Sequence, residues 1–283
     1  MKLCVAGSNL VYINVNENVI FIHGFLSSSS LWKQTVFLNL SAHLRQNYRL
    51  FAVDLLGFGR SPKPEDCLYT LRDHVEMIER SVIVPFELDS FHLVAQSMGC
   101  VIALALAALC FSKINHFGSS CESSSSSYTW KIVSAALEAK PLSRSLNFLL
   151  RVKMLLHKLS SALLQGVLWE WILMLVTRRR DLHFLMTDVT RHTHHSAWHM
   201  MHNVVCGGAR FLDGYLEVLR AAGARILVVQ GRKDEVAPAE CSLNLMMKDP
   251  EIKLQIIPNS DHSSVILGRA KEFTRDLERF WAS

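Results

Sequence analysis

Val94-Ala95-Gln96-Ser97-Met98-Gly99 joins one apolar run, Phe91 to Ala95, to a longer one, Cys100 to Leu109. The first run has the length of a buried strand and the second that of a buried helix, so Ser97 stands on a sharp strand-to-helix turn. This is the pattern of a nucleophile elbow, in which a strained backbone holds Oγ clear of the sheet and small residues flank the serine at two positions' distance. Gly99 meets that demand outright, and Ala95 meets it with one methyl group in place of the usual glycine. A serine capping a buried helix gives a similar pattern. An acid, a histidine and a pair of oxyanion donors elsewhere in the chain decide between the two.

Upstream, Leu10 to Val15 and Val19 to Ile22 read as strands separated by the polar turn Asn16-Glu17-Asn18, the second ending at His23-Gly24-Phe25. After the loop Ser27 to Ser30, Leu31 to Leu44 has helical spacing. Tyr48 to Asp54 is again a strand and leads into Asp54-Leu55-Leu56-Gly57-Phe58-Gly59-Arg60-Ser61. Leu71 to Val84 is the next helix, with Asp73, Glu76 and Glu79 on its polar side. Strand and helix alternate, which predicts an α/β fold: a mostly parallel central sheet, helices on both faces, and ligands at the carboxyl ends of the strands.

Downstream of Leu109 the alternation is interrupted. A further strand is expected between the elbow strand and the next one. Lys113 to Phe117 is a poor candidate, Gly118 to Ser127 is serine-rich, and Tyr128 to Val133 fits better. Asn147 to Leu164 and Leu168 to Val176 read as cap helices, the latter running into the solvated end Arg178-Arg179-Arg180. The whole chain, 1–283, is therefore expected to form one domain with a cap inserted over about 111–210, of which 109–168 is the irregular part. Arg225 to Gly231 restores the pattern as a buried strand leading to Arg232-Lys233-Asp234. Ile252 to Ile257 is another strand, followed by Pro258-Asn259-Ser260-Asp261-His262, and Glu272 to Trp281 closes the chain as an amphipathic helix.

The candidate catalytic residues come in the order Ser97, Asp234, His262, each directly after an expected strand. A serine hydroxyl needs a histidine to take its proton, and the histidine needs a carboxylate to fix its tautomer and stabilise its cation. That chain order is the α/β-hydrolase order. Asp261 also lies near His262 in sequence, but adjacency leaves it badly placed to reach Nδ1. The amides of Met98, at the helix amino end, and of Phe25 are the expected oxyanion donors, each worth roughly 3 kcal/mol to the transition state. His23 is expected to brace its loop. With Gln96, His195 and His199 it is also a candidate for the pocket lining. His192, His194, His195, His199 and His202 cluster in the cap; His195, His199 and His202 would share a helix face. The hydrolytic apparatus is complete without a metal or other cofactor, so neither is assigned. Enzymes of the epoxide hydrolase and dehalogenase type place a carboxylate where Ser97 stands, which disfavours that chemistry.

Composition narrows the partners. The chain has 283 residues, 50% of them hydrophobic, with a formal net charge of +5. No basic run is interleaved with aromatics, which argues against a nucleic-acid groove. The mild positive charge suggests at most peripheral contact with anionic lipid surfaces. Seven cysteines, scattered without paired spacing, read as free thiols. The longest apolar run, Ala162 to Val176, contains Gln165 and Glu170 and falls short of a bilayer span. Without a basic start and a long apolar stretch at its amino end, the sequence reads as intracellular.

Phe21 to Ser30, Leu50 to Pro64, Leu68 to Met77, Ser97 to Ala107, Thr177 to Leu185 and Thr193 to His199 resemble the plant BODYGUARD group of α/β hydrolases. The resemblance covers about Asn18 to Ala108 and Trp169 to Trp281. It implies a triad carried by Ser97, Asp234 and His262, an acyl-ester substrate of the lysophospholipase type, and a link to cuticle and cutin formation at the epidermal cell wall. It also implies a secreted, cell-wall location, against the intracellular reading. Gln96 departs from the family, which commonly has histidine there, and Leu109 to Leu168 does not resemble it. Three functions remain open at this point: hydrolysis of lipid-like acyl esters, acyl transfer in polyester formation, and a degenerate copy that binds without catalysing. A hydrogen-bonded Ser97, His262 and Asp234 constellation discriminates the first two from the third.

Overall fold

A computed structural model describes residues 17–117, 131–135, 174 and 183–283. The expected strand Leu10 to Val15, the serine-rich stretch and the arginine run lie outside these residues. So do the cap helices Asn147 to Leu164 and Leu168 to Val176, apart from Met174.

The strands are β1 (Glu17–Ile22), β2 (Tyr48–Val53), β3 (His92–Gln96), β4 (Lys131–Ala135), β5 (Arg225–Gly231) and β6 (Lys253–Ile257). Among the described residues they form a parallel sheet in the order β2-β1-β3-β4-β5-β6. The strand expected between the elbow strand and the strand leading to Asp234 is present. β4 pairs with β3 through Val94 and Val133, and with β5 through Val133 and Leu227. It begins three residues later than the apolar run Tyr128 to Val133, and Lys113 to Phe117 belongs to the preceding helix.

Side chains alternate across this sheet with the two-residue period of a strand. Ile20, Ile22, Leu93 and Ala95 join one core, and Val19, Phe21 and Val94 join the other. Helices cover both faces, as parallel sheets require. On the first face lie α4 (Leu71–Ile78) and α5 (Met98–Phe117). Residues Cys100 to Ala107 are all buried, because this part of α5 packs against the sheet, α4 and a later helix and so has no solvent face. The second face is closed by α1 (Ser30–Gln34) and by the carboxyl-terminal helix, whose Phe273, Leu277, Phe280 and Trp281 form one apolar stripe. Each such buried side chain contributes roughly 1.5–3 kcal/mol.

The helix expected over Leu31 to Leu44 is instead three short ones: α1, α2 (Val36–Asn39) and α3 (Ala42–Asn47). Thr35 breaks the first, its Oγ1 turning back to donate to Leu31 O at 2.5 Å. Leu40 and Ser41 are extended, and Ser41 Oγ accepts from the Leu44 amide as a new cap. Short hydroxyl side chains compete with the helix for its own backbone groups, which apolar spacing alone does not reveal. Likewise Glu17 and Asn18, expected in a turn, extend β1: Asn18 stands opposite Arg49, whose Nε donates to Asn18 Oδ1 at 2.7 Å. The helix expected over Leu71 to Val84 widens into a π-turn at Glu79–Ile83.

The segment between β4 and β5 contributes α6 (Phe184–Thr190) and α7 (His194–Met200), then a π-turn (Met201–Cys206), a short 3₁₀ turn (Gly208–Phe211) and α8 (Leu212–Ala221). After β5, α9 (Ala239–Lys248) leads to β6, and α10 (Ala270–Ala282) ends the chain. No helix among the described residues is long and apolar enough to cross a membrane.

Candidate active site

The parallel register brings the ends of β1, β3, β5 and β6 to one edge, so the loops that follow them meet there. Two glycines set the approach. A Cβ on Gly99 would come within 2.5 Å of His23 O and 2.8 Å of Ile22 O, both backbone atoms. Only glycine therefore lets the first turn of α5 lie against the end of β1. Ser97 precedes that turn with φ 53, a left-handed conformation that costs a non-glycine residue energy and lifts its side chain away from the sheet. Gly231 plays the same part at the other end, where a Cβ would meet Ser260 O at 2.5 Å and Asp261 O at 2.8 Å. The two loops are laced there by Arg232 N donating to Ile257 O and Lys233 N donating to Ser260 O, both at 2.9 Å.

This lacing puts Asp234 beside His262. Asp234 Oδ2 accepts from His262 Nδ1 at 2.8 Å, and His262 Nε2 lies 2.9 Å from Ser97 Oγ. A carboxylate can only accept, so the Nδ1 proton is fixed and Nε2 is left as the acceptor for the Ser97 hydroxyl. The Asp234 side chain is fully buried, and its other oxygen accepts from the amides of Val236 (2.9 Å) and Ala237 (2.8 Å). Asp261 is turned elsewhere: exposed, it accepts from the amides of Ser263 and Ser264. The Ser264 amide and hydroxyl hold its carboxyl below the usual carboxylate range.

Ser97 and His262 open onto a cavity of about 380 Å³, also lined by Phe25 and Met98. Met98 opens α5, so its amide belongs to a first turn whose N–H groups have no acceptor inside the helix. Polar side chains line the cavity at Ser27, Gln96 and Ser263. Its walls are Leu31, Val101, Leu185, Val189, Met201, Val205, Ile266 and Leu267. Gln96, expected in the lining, is there.

His23, His195 and His199, the other expected lining residues, do not line it. His23 is completely buried: Nδ1 donates to Gly24 O at 2.7 Å, and Nε2 accepts from the Leu55 amide at 3.0 Å. Burial lowers its pKa and keeps the ring neutral, so it braces the loop between β1 and Phe25. His195 shares a hydrogen bond with Cys67 O at 2.9 Å and meets the Tyr69 ring edge-on. His199 packs on His195 with centroids 4.4 Å apart, and His202 packs on Trp198 at 4.2 Å. His195 and Ser196, whose Oγ donates to Gly57 O at 3.0 Å, tie the inserted segment to the loop after β2. Of the three histidines with shared helical spacing, His195 meets the loop after β2 and carries His199 on it, whereas His202 is exposed.

The residues that do line the cavity from the inserted segment went unread: Leu185 and Val189, then Met201, Val205 and Ala209. Their four-residue spacing was the available signal.

One buried carboxyl joins that lining to the loop after β1. Asp188, between Leu185 and Val189, accepts from Ser28 Oγ at 2.7 Å. Burial pushes its carboxyl up from 3.8 to about 6, with Asp54 adding to the rise against the Ser28 hydrogen bond. Asp54 itself feels burial upward, but the amides of Ser29 and Arg60, donating to its two oxygens at 2.6 and 3.0 Å, hold this carboxyl low. Because the folded state binds the Asp188 proton more tightly than the unfolded chain does, ionising Asp188 costs stability. That cost is absent below about pH 3.8, grows up to about pH 6, and is constant above it. Asp188→Asn is therefore expected to melt above the parent at pH 7.5, with the gap closing toward pH 4. A gap equal at both ends of that range would contradict the assignment.

A parallel sheet carrying serine, aspartate and histidine in that chain order at its carboxyl edge defines the α/β-hydrolase class. The chain belongs to the alpha/beta hydrolase family, whose model matches residues 19–276. Within it, the chain is 44% identical over 281 residues to probable lysophospholipase BODYGUARD 4 of Arabidopsis thaliana, covering 95% of this chain and 65% of that protein. It is 43% identical to probable lysophospholipase BODYGUARD 5 of the same plant, covering 94% and 62%. The chain thus spans less than two thirds of the length of these relatives. The enol-lactonase of Burkholderia xenovorans shares the fold, with a TM-score of 0.66 at 17% identity, covering 100% of this chain and 96% of that one.

Proposed function

We propose that the protein is a serine hydrolase that cleaves carboxylic esters of lipid-like substrates through an acyl-enzyme. The observation that carries this is the Ser97, His262 and Asp234 chain opening on a cavity with apolar walls. Ser97 Oγ attacks the ester carbonyl as His262 Nε2 takes its proton, and Asp234 stabilises the imidazolium. The oxyanion is received by the amides of Met98 and Phe25. Collapse breaks the ester C–O bond, and His262 returns the proton to the leaving alcohol. Water then enters, gives a proton to His262, and attacks the acyl carbonyl to release the acid and restore Ser97.

The apolar walls favour an acyl chain over a charged group, and relatives named as probable lysophospholipases favour a lipid ester. The connected hydrogen bonds support an enzyme rather than a decayed copy. A fluorophosphonate probe tests the reading, since it phosphonylates only an activated serine. Peptide mass spectrometry is expected to find the adduct on Ser97. A folded preparation that stays unlabelled would overturn it.

A further inference from the structure

We infer that Gln230 is a positioning residue that holds Asp234 in the orientation from which it serves His262. The inference rests on the proposed roles of Ser97, His262 and Asp234.

Gln230 is the one polar side chain within the run Ile226-Leu227-Val228-Val229-Gln230 of β5, and it is only 1% exposed. Its alternation partner Val228 is wholly buried, so an apolar residue would suit this face of the strand. Burying an amide brings stability only if every polar atom finds a partner. Here each does. Nε2 donates to Ala237 O at 2.9 Å and to Asp234 Oδ2 at 3.1 Å, with Gly231 O at 3.3 Å, while Oε1 accepts from Ser242 Oγ at 3.0 Å. The amide cannot be reversed, because its nitrogen end faces two carbonyls and a carboxylate, which only accept.

Asp234 Oδ2 is the oxygen that also receives His262 Nδ1. With the Val236 and Ala237 amides on Oδ1, four N–H groups meet a fully buried carboxylate, which offers about four lone-pair sites. The carboxylate plane is thereby locked, and its charge is shared with groups other than the imidazole. A chain of hydrogen bonds runs from Ser242 on α9 through Gln230, Asp234 and His262 to Ser97.

Gln230→Met keeps the side chain's length and volume while removing the donor. Asp234 then turns more freely, and more of its charge falls on His262. With p-nitrophenyl butyrate as the probe, kcat is expected to fall roughly tenfold, the worth of one hydrogen bond to a charged group, with KM little changed. The stronger pull on the imidazolium should move the acid limb of the pH–rate profile upward by roughly half a unit. Ser242→Ala, which loosens Gln230 without touching Asp234, should move both readouts the same way by less. It carries the test alone if Gln230→Met melts far below the parent. Parent kinetics and an unmoved acid limb in a folded variant would overturn the inference. Failure of the parent to label at Ser97 would instead overturn the proposed function on which it rests.

Discussion

Ser97→Ala is expected to leave a folded protein whose hydrolysis of p-nitrophenyl butyrate falls by roughly a million-fold in kcat. The prediction follows from what Ser97 does and does not hold. Its Oγ bonds only to His262 Nε2 among the hydrogen bonds of the site, so removing it takes no support from the sheet or from α5. The left-handed turn, with φ 53, is imposed by β3 and by the seating of Gly99 on β1, and alanine occupies it at a similar cost. Thermal melting should therefore match the parent within a few degrees. On the proposed mechanism, what is lost is the atom that would form the acyl-enzyme, leaving only the oxyanion donors and substrate binding. Burst kinetics and fluorophosphonate labelling should vanish together. A variant retaining even a hundredth of parental turnover would point to a different nucleophile.

Asp234→Asn is expected to cost roughly ten-thousand-fold in kcat while the fold persists. The backbone amides of Val236 and Ala237 face Oδ1 and can still be accepted by the amide oxygen of the substituted side chain. Its nitrogen is then left facing His262 Nδ1, where a donor meets a donor. The imidazole relieves the clash by moving its proton to Nε2, which then has no lone pair for the Ser97 hydroxyl. Gln230 Nε2 faces the same new donor at 3.1 Å and worsens the fit. Kinetics should show the loss in kcat, with KM little altered. Retained activity in a folded variant would mean that Asp234 does not set the imidazole tautomer.

Much of this site was legible because the chemistry requires few residue types at strand ends, and strand ends are marked by runs such as Phe91 to Ala95 and Arg225 to Gly231. The elbow was readable since its glycine and serine requirements are local. The pocket was less so. His195 and His199 looked like lining because histidines in a cap suggest an entrance, yet Cys67 and Tyr69, the partners of His195, lie more than a hundred residues away, and His199 packs on His195. Leu185 and Val189 passed as ordinary apolar positions. Gln230 is simply part of the buried strand Arg225 to Gly231 in the sequence, because its meaning depends on Asp234, Ala237 and Ser242 being folded around it.

By itself the amino-acid sequence determined the α/β class, the strand-to-helix turn at Ser97 and the order of serine, acid and histidine. Each of these rests on short-range periodicity, or on backbone conformations that only certain residues adopt. Tertiary structure alone decided whether the acid reaches the histidine. That depended on β4 taking its place between β3 and β5, and on Gly231 letting the Asp234 and His262 loops touch. Parallel neighbours are joined through long crossovers, so the pairing partner of a strand is set by packing across the whole sheet and not by the residues beside it.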